Sequence, residues 1–155
     1  MSALLVVDAA NVVGAVPDGW WRDRRAAAER LRDALVAYAT GESVPGGCEP
    51  PLAGPVEVVL VVEGAARGVE SAAGVRVVAA DGSGDDRIVE FVAEREAGRR
   101  CVVVTADRGL RERVRALGAE VVGPRAVRPE AGGGSGGGSG GRGRTDRTGG
   151  TDRTG

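Results

Sequence analysis

RCVVVTADRGLRERVRALGAEVV, residues 100–122, reads as strand, helix and strand in one continuous unit. RCVVVT (100–105) is an apolar run rich in β-branched residues, the kind that is buried on both faces of a sheet. Residues 107–117 then take helical spacing, with Leu110, Val114 and Leu117 along one side and Arg108, Arg111 and Arg115 across from them. Gly118 stops the helix, and residues 119–122 form a short strand. Two strands joined by a crossover helix must pair in parallel, with the helix packed on one sheet face.

The same alternation runs back to the start of the chain. ALLVVD (3–8), PVEVVLVVE (55–63) and GVRVVA (74–79) are three further strands. A helix is expected over 22–39, where Ala27, Leu31, Leu35 and Tyr38 mark one face. Another is expected over 85–97, capped by Ser83 or Asp85 and carrying Ile88, Phe91 and Val92 as its apolar stripe. Residues between Asp8 and Arg22, with Gly14, Pro17 and Gly19, read as a loop, as does 41–54 with its three prolines and four glycines. The second and third strands are separated by too few residues for a full helix, unless 65–72 supplies two turns. The expected class is α/β: a three-layer α/β/α sandwich around a mainly parallel five-stranded sheet.

Of the chain's 155 residues, 1–130 suffice for one domain with a single core. Residues 131–155 are a Gly/Ser/Arg-rich tail, expected to be disordered because it cannot bury a core. Its Arg-Gly-Arg and Thr-Asp-Arg-Thr-Gly units could brush RNA, though composition favours a solvated extension. The net charge is −1, which excludes a strongly basic protein that coats nucleic acid indiscriminately. Histidine is absent, and with it Ser-His-Asp triads, His-ligated metals and His general bases. All 21 basic residues are Arg, so Schiff-base and P-loop lysine mechanisms are excluded too. No stretch approaches the about 18 apolar residues that cross a bilayer, and residues 1–13 lack the basic flank of a signal peptide. Cys48 and Cys101 lie too far apart in the chain for a zinc pair and are expected to be reduced thiols of a cytoplasmic protein.

In an open parallel sheet, chemistry collects beyond the carboxyl ends of the strands. Those ends deliver Asp8, Glu63, Asp81 with Asp85 and Asp86 just beyond, and Asp107. Helix starts favour acids, so capping alone accounts for Asp85, Asp86 and Asp107 taken singly. Asp8 is different, because it ends a strand expected at the sheet centre, where an uncompensated carboxylate costs several kcal/mol. Acids gathered without Lys or His repel one another, and their natural partner is a hard cation with oxygen ligands, Mg²⁺ or Mn²⁺. Such an ion supports phosphoryl hydrolysis. Other acid-rich sites fail on particular residues. The first strand ends DAAN, without the acidic pair of a receiver domain or the Asp-x-Asp of a haloacid-type phosphatase, and it lacks the G-x-G-x-x-G of a dinucleotide fold. AEREAGRRCV (93–102) echoes a Nudix box, but Arg99 and Arg100 stand where its metal-binding glutamates belong.

VDAANVVG (7–14), SGDDRIVEFV (83–92) and VVTADRGLRERVRALGAEVVG (103–123), in this order, resemble the NYN domain of the PIN-like nuclease superfamily, in its bacterial YacP-like branch. The resemblance implies a PIN-like sandwich with strand order 3-2-1-4-5 and a metal-dependent endoribonuclease site that leaves a 5′-phosphate and a 3′-hydroxyl. Asp8 and Asn11 match the first-strand acid and the asparagine that follows it. Asp85 matches the acid of an Ala-Asp-x-x-Ile pattern in which Gly84 replaces Ala, Asp86 is its acidic neighbour, and Asp107 matches the acid after the fourth strand. At the second strand end, Glu63 stands where relatives commonly have Asp. The implied roles are metal binding by Asp8, Asp85 and Asp107 with support from Asp86 and Glu63, and orientation of a carboxylate or phosphate oxygen by Asn11. Trp20, Trp21 and Arg24 in GWWRDRR, with Arg108 and Arg111, are candidates for stacking bases and gripping phosphates. RNA is the expected partner, structured or ribosome-associated given the modest charge. Two alternatives keep the fold: a catalytically inactive RNA- or protein-binding module, and a nucleotide phosphohydrolase using the same carboxylates.

Overall fold

A computed structural model describes residues 2–15, 19 and 22–127. Its centre is β1 (Leu4–Asp8), all five residues of which are buried. β1 pairs in parallel with β2 (Glu57–Val62) on one side and β4 (Cys101–Val104) on the other. β3 (Val75–Ala79) and β5 (Glu120–Val122) add to the two flanks, also in parallel, and give the expected order β3-β2-β1-β4-β5. Side chains alternate across the sheet, so each strand feeds two cores. Leu5, Val7, Leu60, Val62 and Val104 pack with Leu31 and Leu35 of α2 (Arg24–Thr40). Leu4, Val6, Val59, Val61 and Val103 pack on the opposite face with Ile88 and Val92 of α3 (Gly84–Glu94) and with Leu110 and Val114 of α4 (Arg108–Ala116). This is the expected α/β/α sandwich. Cys48 and Cys101 are free, buried, and assigned to opposite cores.

Between β2 and β3, where too few residues were expected for a full helix, the helical piece is a 3₁₀ turn, Gly64–Ala66. Three local expectations are corrected. A helix, α1 (Ala9–Gly14), replaces the loop expected after Asp8. Its six residues are too few to show helical periodicity, and it forms because the Asp8 side chain caps it while Ala9 and Val12 are buried. α3 ends at Glu94 rather than at 97, because the Arg95 guanidinium donates to the carbonyls of Val92, Arg99 and Leu117 at 2.8–3.0 Å and closes the helix end. Leu117, assigned to the inner face of its helix, caps α4 and is 38% exposed.

α2 ends on Gly41 at φ 87°, a left-handed conformation that glycine adopts without strain. A Cβ there would meet the Gly54 and Pro55 backbone at 3.0 Å, so the loop closes tightly on the helix end. The far side of this loop is tied down by Arg100, which pairs with Glu120 at 2.6–2.8 Å and donates to the Pro50 carbonyl at 2.7 Å. Trp20, Trp21 and the tail at 131–155 lie outside the described residues. Among the described residues no helix is long and apolar enough to cross a membrane.

The two leucines of α4 separate core from surface. Leu110→Ala is expected to lower the unfolding free energy by about 2–5 kcal/mol through the cavity it leaves, and Leu117→Ala by no more than about 0.5 kcal/mol. Urea denaturation of the two variants against wild type measures both.

Candidate active site

Three helices begin at the carboxyl edge of the sheet; two are capped by an acid, and the third carries acids in its first turn. Asp8 is the N-cap of α1, its Oδ1 accepting from the Asn11 N–H at 3.4 Å. Asp107 is the N-cap of α4, its Oδ1 accepting from the Leu110 N–H at 2.9 Å. Asp85 stands in the first turn of α3, where its own N–H donates to the Ser83 hydroxyl at 3.1 Å. Capping and convergence are therefore compatible: the helix starts that select acids also aim them at one edge.

Asp8 is 6% exposed, and its second oxygen accepts from the Thr105 hydroxyl at 2.9 Å. Burial pushes its carboxyl from the ordinary 3.8 to about 6; the hydrogen bonds from Thr105 and Asn11 pull the other way, and the negative charges of Asp85 and Glu63 add to the rise. Asp85 is raised as well, by burial first and then by Asp107 and Glu63, with Arg113 opposing and Asp86 adding. These mutual influences bring Asp8, Asp85, Asp107 and Glu63 into one electrostatic neighbourhood.

The turn after β4 is stitched to β1 and α1. Thr105, fully buried, donates to Asp8 and accepts from the Asp107 N–H at 3.1 Å. Asn11 accepts from the Ala106 N–H through its Oδ1 at 2.8 Å. Asn11 thus holds the turn that carries Asp107, rather than contacting a carboxylate through its side chain. Thr105 is the site residue that sequence reasoning missed. Its signal is a lone hydroxyl at the end of an otherwise apolar strand, where burial obliges it to find a partner.

Other candidates stand further out. Asp86 pairs with Arg113 at 3.1 Å on an exposed surface, so it neighbours the cluster without being turned into it. Asp81 is fully exposed and lies 3.7 Å from Arg67. Glu63 accepts a short hydrogen bond from the Gly84 N–H, which engages one of its two oxygens. Arg108 is exposed, and Arg111 is half-buried with its Nε buried and unpartnered. Arg24 lines a cavity of about 410 Å³ beside the acids, together with Ala9, Ala10, Val13, Ala28, Glu63 and Gly82.

Among the described residues the candidate donors are all carboxylates; burial first, and then the charges of their acidic neighbours, raise Asp8 and Asp85, and this chemistry suits a hard divalent cation. The spacing is looser than the chemistry. Among the described residues no three acids stand as a ready ligand cage, so such an ion would be held partly through its own water.

The open parallel sheet of order 3-2-1-4-5 sets acids at or just beyond the ends of β1, β2 and β4 and at the start of α3. The solved structures bear out the fold. The chain is similar to Rae1 (YacP) from Bacillus subtilis, with TM-score 0.60, 21% identity, and 82% of this chain covering 71% of that one. The W164L mutant of the same protein matches with TM-score 0.62 and 18% identity, over 81% of this chain and 72% of that one. No family model and no curated protein sequence matches the chain. The chain thus has a YacP-like fold.

The Asp8 shift makes a signed prediction. Because the folded carboxyl, at about 6, binds its proton more tightly than an unfolded aspartate at 3.8, the ionised residue opposes folding increasingly as pH rises from about 4 to about 6. Asp8→Asn is therefore expected to stabilise the metal-free protein at pH 7, by up to about 3 kcal/mol, with the gain fading below pH 4. Urea denaturation of both proteins from pH 4 to pH 8 checks it.

Proposed function

We propose that this protein is a Mg²⁺- or Mn²⁺-dependent endoribonuclease. The observation that carries the reading is the Asp8 carboxyl, buried at the end of the central strand and raised to about 6, with the negative charges of Asp85 and Glu63 adding to the shift. A charge kept in so unfavourable a place is the mark of a functional group. The YacP-like fold and the three motifs at the sheet edge support the same reading.

Asp8, Asp85 and Asp107 would hold the ion, with Asp86 at the rim. When bound, it supplies Lewis-acid chemistry and charge neutralisation at a phosphodiester. The chain's own residues do the rest. Thr105 and the Asn11 N–H fix the Asp8 carboxylate, and the Asn11 side chain fixes the turn that presents Asp107. The cavity beside the acids, at about 410 Å³ and with Arg24 in its lining, has room for a nucleotide flanking the scissile bond. Arg108 and Arg111 would meet the strand on the α4 side. Because residues 1–130 carry more acids than arginines, affinity for free RNA is modest, and a structured or ribosome-bound RNA is the better substrate.

A second reading, a binding module without catalysis, is favoured by one observation: the described acids do not form a ready cage. Purified protein incubated with labelled single-stranded RNA and Mn²⁺, with and without EDTA, decides between them. Cleavage that EDTA abolishes is expected, with Asp8→Asn and Asp85→Asn each losing about 100-fold or more. Binding without cleavage in every arm establishes the second reading. Phosphate or pyrophosphate released from nucleotides, with RNA left intact, establishes a phosphohydrolase instead.

The cavity gives an independent handle. Ala10 is exposed and lines it, so Ala10→Leu fills space at little cost to folding. KM for RNA is expected to rise by about 5-fold or more while the melting temperature stays within about 2 °C of wild type.

A further inference from the structure

Glu63 leaves β2 and opens the 3₁₀ turn Gly64–Ala66, yet its side chain does not cap that turn. It reaches across 21 residues of sequence to the first residue of α3, where Oε1 accepts the Gly84 N–H. Gly84 is buried and helical, and it has no positive φ to demand glycine. What demands it is space: a Cβ at Gly84 would meet Glu63 Oε1 at 2.9 Å and Cδ at 3.4 Å. The ladder brings the two segments together as well, since the Ala80 N–H donates to the Val62 carbonyl at 2.8 Å. Ser83 then takes the Asp85 N–H. Two of the N–H groups left unpaired at the start of α3 are therefore satisfied, one by its own cap and one by a carboxylate from β2.

We propose that Glu63 is a positioning residue: its carboxylate clamps the first residue of α3, Gly84 is the cradle that admits it, and the clamp sets Asp85 against Asp8. β2 lies directly beside β1, with Val61 in register with Asp8, so a tie from the end of β2 to α3 references the helix to the strand that carries Asp8. The clamp leaves Oε2 as the one Glu63 oxygen that could face an ion. Glu63 therefore acts on the metal site through Asp85 more than by direct ligation, unlike the ligand role that the family resemblance implies for it.

The inference uses the nuclease reading only for what Asp85 is placed to do, so the test has two readouts. The first is hydrogen exchange of the amide at position 84, followed by NMR on the metal-free protein. The second is Mn²⁺ affinity by calorimetry. Glu63→Ala is expected to speed exchange at position 84 by about 10-fold or more and to weaken Mn²⁺ by about 10-fold. Glu63→Gln keeps an acceptor oxygen and is expected to retain most of both. Gly84→Ala is expected to behave like Glu63→Ala. Should Gly84→Ala not fold, Glu63→Ala and Glu63→Gln carry the test.

Unchanged exchange at position 84 in Glu63→Ala overturns the clamp. So does a Glu63→Gln variant that keeps protection but loses Mn²⁺ as completely as Glu63→Ala, since that is the behaviour of a direct ligand. If exchange responds as expected but wild type binds no Mn²⁺, the clamp stands and the nuclease reading falls.

Discussion

The fold is organised around a charge in the wrong solvent. β1 is the middle strand of five and is buried on both faces, so Asp8 at its end leaves bulk water along with its neighbours. Its hydrogen-bond partners are the Thr105 hydroxyl and one long backbone N–H, that of Asn11. Two hydrogen bonds offset only part of the desolvation of a carboxylate, and the remainder is visible as a proton affinity raised to about 6. Removing the charge would make a more stable domain. On the proposed ribonuclease reading, its retention is the trade that active sites make, in which local stability is given up for a group ready to act.

The same constraint explains the local architecture at this edge. Thr105 is buried because it must reach Asp8, and its second hydrogen bond then fixes the N–H of Asp107. Asn11 sits one turn beyond Asp8 and grips the same loop through Ala106. α1 is the device that brings Asn11 there, which is why a six-residue helix interrupts what the sequence presents as a loop. α3 is set by a separate tie, from Glu63, and completes the cluster from the β2 side. Three segments far apart in the chain are thus locked to one another by hydrogen bonds at the strand ends as well as by the cores beneath them.

These features differ in how they register in a sequence. Strands and layers were readable because β-branched runs such as PVEVVLVVE and helical stripes such as Ile88 with Val92 repeat over enough residues to show a period, whereas the strand order came from the family resemblance. The acids were readable because parallel strands send their carboxyl ends to a common edge, so position along the chain stands for position in space. Contacts between single residues have no period. Thr105 looks like any strand-terminal threonine until Asp8 is seen beside it, and Gly84 looks like a helix-weakening glycine until the Glu63 carboxylate is seen where its side chain would be. Asp81 and Asp86 show the converse. Both satisfy the strand-end rule, yet Arg67 and Arg113 draw them to the surface, and no one-dimensional pattern distinguishes them from Asp85.

An acidic edge is an odd place to receive a polyanion, and on the ribonuclease reading its sign has to be changed before RNA can approach. Asp8, Asp85, Asp107 and Glu63 repel a phosphate at short range, and the arginines nearest them do not cancel this repulsion, since Arg113 is already paired with Asp86. A divalent ion placed among the acids both relieves their mutual repulsion and turns the local field attractive to a phosphodiester. Binding is then ordered by electrostatics: the cation first, the RNA second, with Arg24 and Arg108 acting on flanking phosphates outside the acid cluster. The raised proton affinity of Asp8 belongs to the same logic. A proton is the weaker competitor for a site that a doubly charged ion suits, so on this reading the cost of burying the Asp8 charge, with a smaller part from its acidic neighbours, is relieved when the ion binds.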